Sequence, residues 1–339
     1  MLSHRMKPSS SYTILIAGLG ALGTVFSTLL KKAGHTVFAL TKDKYVAAFS
    51  DRKVRVSGIW GEHEADLDGI FSSIGPLQQK KLDLIILTVK SYDTDAVINQ
   101  VKPLMGKDTL VIIAQNGYGN YETVSGAVGR DHTLLSRIIF GVKLPTPGSA
   151  EVTVIADDVR IGQPHNAVER GRVQEIARAF TSAGIPTAYD ENVEAILWDK
   201  ILYNAALNPL GAILECTYGQ LAENAETRRI MDAIIDETFR VAQALGISLN
   251  WKSAAAYCDH FYTRLVPPTA KHYPSMYYDV KAGKRLEIDA LNGAVVKLGK
   301  EKGIAAPVNE TITNIIKAKE TLSKLKKTFS AAENTEVST

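Results

Sequence analysis

Up to Asp190, short runs of aliphatic and β-branched residues alternate with segments of helical spacing, the pattern of a parallel sheet joined by crossover helices. The spacing predicts a strand over 12–17, a helix over 21–33 closed by Gly34, and a second strand over 36–40. The stretch 82–89 is almost unbroken in apolar residues, as a strand covered on both faces requires. Residues 110–114 and 136–142 read as later strands of the same sheet. Two pieces break the alternation: 54–57 and 151–161 read as short antiparallel strands, the latter a pair turning at Ala156 to Asp158. They give the sheet an antiparallel extension. From Asn192 no β-rich run follows, and apolar residues recur at helical spacing through Lys319, so the second domain is expected to be all helix. Pro186 and the turn residues 189–192 mark the junction. The expected organisation is a disordered extension over 1–11, an α/β domain over 12–191, a helical domain over 192–325 and a flexible polar tail over 326–339.

Composition agrees with two domains, since 339 residues exceed the size at which one core stops growing. A hydrophobic fraction of 45% and a charged fraction of 22% are those of an ordinary soluble protein. A net charge of +3 is too weak to argue for a nucleic-acid partner. Two cysteines, Cys216 and Cys258, exclude a disulfide scaffold and favour a reducing compartment. The histidines show no ligand spacing, so no metal is expected. No apolar run approaches the ~20 residues of a membrane span, and the first residues lack the apolar segment of a secretory signal. The expectation is a cytoplasmic protein with no membrane partner; a homodimer is open, because no interface is identifiable.

Against that background one motif carries chemistry. Gly18-Leu19-Gly20-Ala21-Leu22-Gly23 lies between the first strand and the first helix. In that context Gly18 makes the tight turn, Gly20 admits a pyrophosphate against the backbone, and Gly23 lets helix and strand pack closely. The phosphates would meet the unpaired N–H groups at the helix N-terminus. A glycine-rich turn without a ligand is the alternative. The expected fold of the first domain is therefore a Rossmann-type dinucleotide-binding fold. At the end of the second strand, where a carboxylate would hold the ribose of NAD, stand Thr41 and Lys42. A hydroxyl and a cation there favour NADPH, through its 2′-phosphate. The alternative is that Lys42 is a solvated loop lysine and Asp43 does the ribose work. Lys90, directly after the strand ending at Val89, is placed to make a second phosphate or ribose contact.

In the second domain Lys200, Asn204 and Asn208 recur every four residues among Ile201, Leu202, Ala205, Ala206 and Leu207. On a helix they share one face. Such a stripe is either an ordinary solvent-facing edge or a buried polar row completed by a bound substrate. Residues 284–293 open another helix, in which Glu287 reads as a first-turn residue complementing the dipole. Ser275 reads as a loop serine.

Taken together and in order, these motifs resemble the ketopantoate reductases (2-dehydropantoate 2-reductases) from about Thr13 to Lys319. The resemblance rests on the glycine motif at 18–23, Thr-Val-Lys at 88–90, Gln-Asn-Gly at 115–117, and Lys-x-x-x-Asn-x-x-x-Asn-Pro-Leu at 200–210. Ser-Met at 275–276 and Glu-Ile-Asp-x-x-x-Gly at 287–293 complete it. It implies NADPH-dependent reduction of the 2-oxo acid ketopantoate to (R)-pantoate, a step of pantothenate biosynthesis. Lys200 matches the family's general acid and Glu287 the glutamate that assists it. Asn204, Asn208 and Ser275 match groups that hold the keto acid, and Asn116 matches an asparagine near nicotinamide and substrate. Lys42 and Lys90 match cofactor-binding basic residues. Lys200 and Glu287 are accordingly expected to converge beside the nicotinamide. A further family asparagine is replaced by Tyr218, a departure that bears on the substrate.

The chemistry is coherent, because reducing a ketone builds negative charge on oxygen, which a fixed ammonium both stabilises and protonates. Amide side chains can donate to a carboxylate or accept from a hydroxyl without adding charge. Two rivals differ in consequence: a reductase of the same family acting on another 2-oxo acid, and an NADPH-sensing protein without turnover. The neighbouring β-hydroxyacid dehydrogenases share Lys-x-x-x-Asn, but the glycines that usually precede their lysine are missing from Glu194 to Asp199.

Overall fold

The structure, a computed structural model, describes residues 11–49 and 51–336, with side chains through 323. The expected extension over 1–11 lies, apart from Ser11, outside the described residues, as do the last three residues of the expected tail. The chain divides into two compact units between Glu194 and Ala195.

Among the described residues, the first unit holds an eight-stranded sheet built from β1 (Thr13–Ala17), β2 (Thr36–Leu40), β5 (Gly69–Phe71), β6 (Leu84–Leu87), β7 (Leu110–Ile113), β8 (Thr133–Arg137), β11 (Val159–Gly162) and β12 (Thr187–Tyr189). Their order is β12-β11-β8-β7-β6-β1-β2-β5. Strands β5 through β8 of that order pair in parallel about β1, whereas β11 meets β8 antiparallel. The central strands β6 and β7 are buried at every position, which is why their sequences run apolar without alternation. The connecting helices are α1 (Ala21–Lys32), the short α2 (Asp43–Val46), α3 (Thr94–Val101), α4 (Asn120–Val128) and α5 (Arg170–Ser182). Phe26 of α1 and Phe180 of α5 close the core with rings 5.8 Å apart. The unit is of Rossmann type, extended by a second sheet in which residues 149–152 pair with 55–58 in parallel and the outer pairs are antiparallel.

That extension is built differently from the expectation. A second sheet, in the order β4-β3-β10-β9, contains β3 (Lys53–Gly58), β4 (His63–Asp66), β9 (Phe140–Thr146) and β10 (Ser149–Ile155). The expected strand over 136–142 is therefore two strands in two sheets, β8 ending at Arg137 and β9 starting at Phe140. Ile138 and Phe140 are both buried, so the apolar run continues straight across the change of sheet and conceals it. The expected hairpin over 151–161 is likewise corrected: β10 and β11 do not pair, and β10 pairs antiparallel with β9 through a turn containing Pro147 and Gly148. The residues read as a hairpin turn are a crossing between sheets, where the Asp157 carboxylate receives Arg137 at 2.6 Å and Arg160 at 3.1 Å.

The second unit is helical throughout its described residues: α6 (Val193–Leu214), which starts just before the division, then α7 (Tyr218–Glu223), α8 (Ala225–Ala244), α9 (Ala254–His260), α10 (Ser275–Lys281), α11 (Asn292–Lys302) and α12 (Pro307–Glu336). A π-helical turn at Phe261–Leu265 continues α9. Helix α6 is apolar on nearly every side and is buried accordingly. A chain of polar contacts ties it to the others. The buried Glu237 carboxylate of α8 accepts from the backbone N–H groups of Val308 and Asn309, each at 2.9 Å, capping α12 from outside. Asn309 then accepts from Asn292 of α11 at 3.0 Å, and Asn292 also donates to the Ala205 carbonyl of α6 at 3.1 Å. Helix α12 runs through Glu336, beyond the point at which the tail was expected to begin. Residues 326–336 contain neither glycine nor proline, so nothing in their sequence breaks the helix. No helix among the described residues is long and apolar enough to cross a membrane.

Candidate active site

The glycine motif makes the turn from β1 into α1. Gly18 has φ +110°, a left-handed conformation that glycine adopts without strain. A Cβ on Gly23 would lie 1.9 Å from the Gly18 carbonyl oxygen, so the helix can approach the turn only with glycine there. A Cβ on Gly20 would meet nothing within 4 Å. The first and third glycines are thus demanded by the protein's own packing, while the second faces open space at the N-terminus of α1. Gly20 is the N-cap and offers no side chain to the N–H groups of the first turn, which include those of Ala21, Leu22 and Gly23. Those donors, the bare Gly20 and the positive end of the helix dipole fit a pyrophosphate. Leu19 is buried and anchors the loop.

Three neighbouring strand ends surround this turn at the carboxyl edge of the sheet. After β6, the Thr88 hydroxyl donates to the Gly18 carbonyl at 2.5 Å, binding the glycine turn to the next strand. After β2, the Thr41 N–H donates to the Phe71 carbonyl at 2.9 Å. Lys42 pairs with Asp93 at 3.0 Å, its side chain 62% exposed, and Asp43 accepts from the Ser72 hydroxyl at 3.0 Å. Lys90 directly precedes the turn Ser91–Asp93 that supplies this aspartate. After β7, Gln115 is buried and donates to the Val89 carbonyl at 2.9 Å and to the Thr94 hydroxyl at 2.7 Å. Thr94 in turn donates to Asn120 at 2.8 Å, and Asn120 donates to the carbonyl of Asn116 at 3.0 Å. The Asn116 loop is therefore held from both sides, and the buried Oε1 of Gln115 has no hydrogen-bond partner.

In the helical unit, α6 carries Lys200, Asn204 and Asn208, as the four-residue spacing predicts. Asn204 and Asn208 are only 9% and 6% exposed, which rules out a solvent-facing edge for that part of the row. Lys200 is half-buried. Its neighbour Asp199 accepts from Asn250 at 2.7 Å and from the Trp251 indole at 3.1 Å. Asn208 accepts a hydrogen bond from the buried Tyr218 hydroxyl at 3.0 Å. Ser275 is the first residue of α10 rather than a loop serine, because Pro274 sets the extended entry and cannot itself sit inside the helix. A Cβ on Gly211 of α6 would lie 2.8 Å from the Pro274 ring, so a glycine on α6 is what lets this entry come close.

Glu287 does not lie in a helix's first turn. It precedes a short 3₁₀ turn at Ile288–Ala290, and α11 begins only at Asn292. Leu286 and Ile288 are buried on either side of it with Ala212 of α6, Met276 of α10 and Ile316 of α12. This apolar cluster brings α6, the Ser275 entry and the Glu287 turn into one packing unit. The turn is further pinned by α12, where Glu320 accepts from the Leu286 N–H at 3.0 Å and Lys317 meets Asp289 at 2.6 Å.

Comparison with known proteins follows this geometry. The family model for ketopantoate reductase PanE/ApbA matches residues 14–166, and the model for its C-terminal domain matches 192–320. The chain belongs to the ketopantoate reductase family. It is 47% identical to a 2-dehydropantoate 2-reductase of Aquifex aeolicus, over 90% of this chain and 96% of that protein. A 2-dehydropantoate 2-reductase of Pyrococcus horikoshii is 30% identical, over 91% and 98% of the two chains. Among solved structures, a PanE/ApbA family ketopantoate reductase of Ralstonia eutropha superposes with a TM-score of 0.81 at 26% identity, covering 92% of this chain and 99% of that one. A D-mandelate dehydrogenase shares the fold, with a TM-score of 0.83 at 24% identity and coverage of 92% and 99%. Membership makes the chain an oxidoreductase.

Several residues of this ketopantoate reductase family member escaped the sequence reading. Thr88 and Gln115 stand inside the Thr-Val-Lys and Gln-Asn-Gly motifs, yet only the lysine and asparagine drew notice; their own work is to tie strand ends together. Asp93, Asn292 and Asn309 carry no motif signal, since their partners are remote in sequence.

Proposed function

We propose that the chain catalyses NADPH-dependent reduction of ketopantoate to (R)-pantoate, serving pantothenate biosynthesis, with Lys200 as general acid and Glu287 assisting it. The observation that carries this reading is the row on α6: two asparagines only 9% and 6% exposed stand in line with a half-buried lysine on one face of a mostly apolar helix, polar groups of the kind that pair with the oxygens of a 2-oxo acid. The relatives named above support the choice of substrate.

Residues Gly18, Leu19, Gly20, Ala21, Leu22 and Gly23 would hold the pyrophosphate, with Lys90 as a further contact and Asn116 towards the nicotinamide. Thr41 and Lys42 would meet the 2′-phosphate. The Ser72–Asp43 bond supports this assignment, because it already engages one oxygen of the Asp43 carboxylate, the alternative ribose contact. When bound, the dinucleotide supplies the hydride.

The remaining work falls to side chains. Lys200 donates a hydrogen bond to the substrate's carbonyl oxygen, stabilises the charge that grows there, and transfers its proton to that oxygen. Glu287, on a turn held by α12, assists the ammonium. Asn204, Asn208 and Ser275 hold the 2-oxo acid, and Asn116 completes the contacts.

A second reading, a reductase of another 2-oxo acid, is favoured by one observation, the tyrosine at 218 bonded to Asn208. NADPH oxidation by the purified protein, measured against ketopantoate and a panel of other 2-oxo acids, tests both. Selective turnover of ketopantoate is the expected result. Selectivity for another acid would favour the second reading, and NADPH binding without turnover of any acid would leave a sensor.

A further inference from the structure

Tyr218 opens α7, buried, and its hydroxyl lies 3.0 Å from the Oδ1 of Asn208. Among the described residues no other hydrogen-bond partner of that hydroxyl is found. Its ring stands edge-on to Tyr203, with centroids 5.9 Å apart, and Tyr203 spends its own hydroxyl on Thr269 at 2.7 Å. The Tyr218 backbone N–H is fixed to the His272 carbonyl at 3.0 Å. Ring and backbone are thus both locked.

A phenol and an amide can pair in two ways. With Oδ1 towards the ring, the O–H donates to it and the amide NH2 is left to donate elsewhere. With the amide turned over, Nδ2 would donate to the phenol oxygen, and the buried O–H would be left with no acceptor. Leaving a buried donor unsatisfied is costly, which selects the first arrangement. Burial also pushes the Tyr218 phenol well above its usual range, so it retains the proton that it donates.

We infer that Tyr218 is a positioning residue that fixes the amide of Asn208 with its carbonyl spent inward, making Asn208 a donor-only contact for an acceptor oxygen of the 2-oxo acid. This rests on the assignment of Asn208 to substrate binding. Without Tyr218 the amide would be able to present either end, as a hydroxyl-accepting or an oxygen-donating group. With it, the α6 row presents the Lys200 ammonium as a donor, an amide at Asn204 that can turn either end outward, and an amide at Asn208 held as a donor. The site is thereby biased towards an oxygen-rich, anionic ligand.

The test is steady-state kinetics with ketopantoate and NADPH on the wild type, Tyr218→Phe, Asn208→Ala and the double variant. Tyr218→Phe keeps the ring and removes only the hydroxyl. Its KM for ketopantoate should rise several-fold, by up to about tenfold, since the freed amide must be turned before it can donate, with a much smaller effect on kcat and none on the KM for NADPH. In the Asn208→Ala background the same change should add nothing, because there is no amide left to orient. An unchanged KM in Tyr218→Phe, or losses that simply multiply in the double variant, would overturn the inference; a merely structural tyrosine gives the second result. If wild type turns over ketopantoate and the cycle shows no coupling, only the role of Tyr218 falls. If wild type turns over no 2-oxo acid, the functional reading falls and takes this inference with it.

Discussion

The two units build their parts of the proposed site from different materials. In the sheet unit the proposed contacts to the pyrophosphate are backbone: the N–H groups at the start of α1, bared by Gly20 and shaped by Gly18 and Gly23. In the helical unit they are side chains, set on α6 and on the turn before α11, and kept in place by partners far away in sequence. A backbone site is specified by a few adjacent residues, since a turn is a local object. A side-chain site depends on every helix that packs around it. The first should be sensitive to a single added methyl group, and the second to the loss of a distant strut.

The largest effect expected is that of Lys200→Ala. Removing the proton donor should lower turnover of the 2-oxo acid by about 10²–10⁴-fold while dinucleotide affinity, measured by fluorescence titration, stays near wild type. Unchanged turnover would end the separation of roles between the units. A pair of glycine variants sharpens it. Gly23→Ala places a methyl group against the Gly18 carbonyl and should cost more than about 3 kcal/mol of stability in denaturant unfolding. Gly20→Ala meets nothing in the protein, so it should fold normally and yet weaken NADPH binding by at least about tenfold. Similar stability losses in both would show that the open space at Gly20 is not what the dinucleotide uses.

The corresponding strut in the helical unit is Glu237. Glu237→Ala strips the cap from α12 and takes from the Asn309 amide the shorter of its two acceptors, leaving the Ile234 carbonyl at 3.3 Å, which should cost about 2–4 kcal/mol in thermal or chemical unfolding. A neutral result would mean that α12 is held by apolar packing alone. The smallest effect is reserved for Lys42→Ala. An exposed lysine already paired with Asp93 should be worth about tenfold in affinity for NADPH and little for NADH. Equal losses for the two coenzymes would place Lys42 away from the 2′-phosphate.

The sequence reading reached furthest where order along the chain equals order in space. The boundaries of β2 and the start of α1 follow from strand pattern and glycine spacing, and the row on α6 follows from helical periodicity. It failed where apolar runs crossed from one structural layer to another. Phe140 and Ile155 belong to strands in the smaller sheet, although the sequence around each looks continuous with strands of the larger one. Glu287 was placed in a helix because its neighbours have helical spacing, yet the buried Leu286 and Ile288 pack onto three other helices and hold it in a turn.

Hydrophobic spacing and the glycine motif alone determined that this protein has a dinucleotide-type sheet unit followed by a helical one, and which side chains share a face of α6. Those are consequences of local geometry, in which each residue's place is set by its neighbours within a few positions. Only the tertiary structure decided that Tyr218 meets Asn208, that Glu237 caps α12 and that Thr88 ties β6 to the glycine turn. Each of those contacts joins groups whose pairing depends on how whole helices and strands pack, and packing is settled by the shape and polarity of many surfaces at once, which no periodicity encodes.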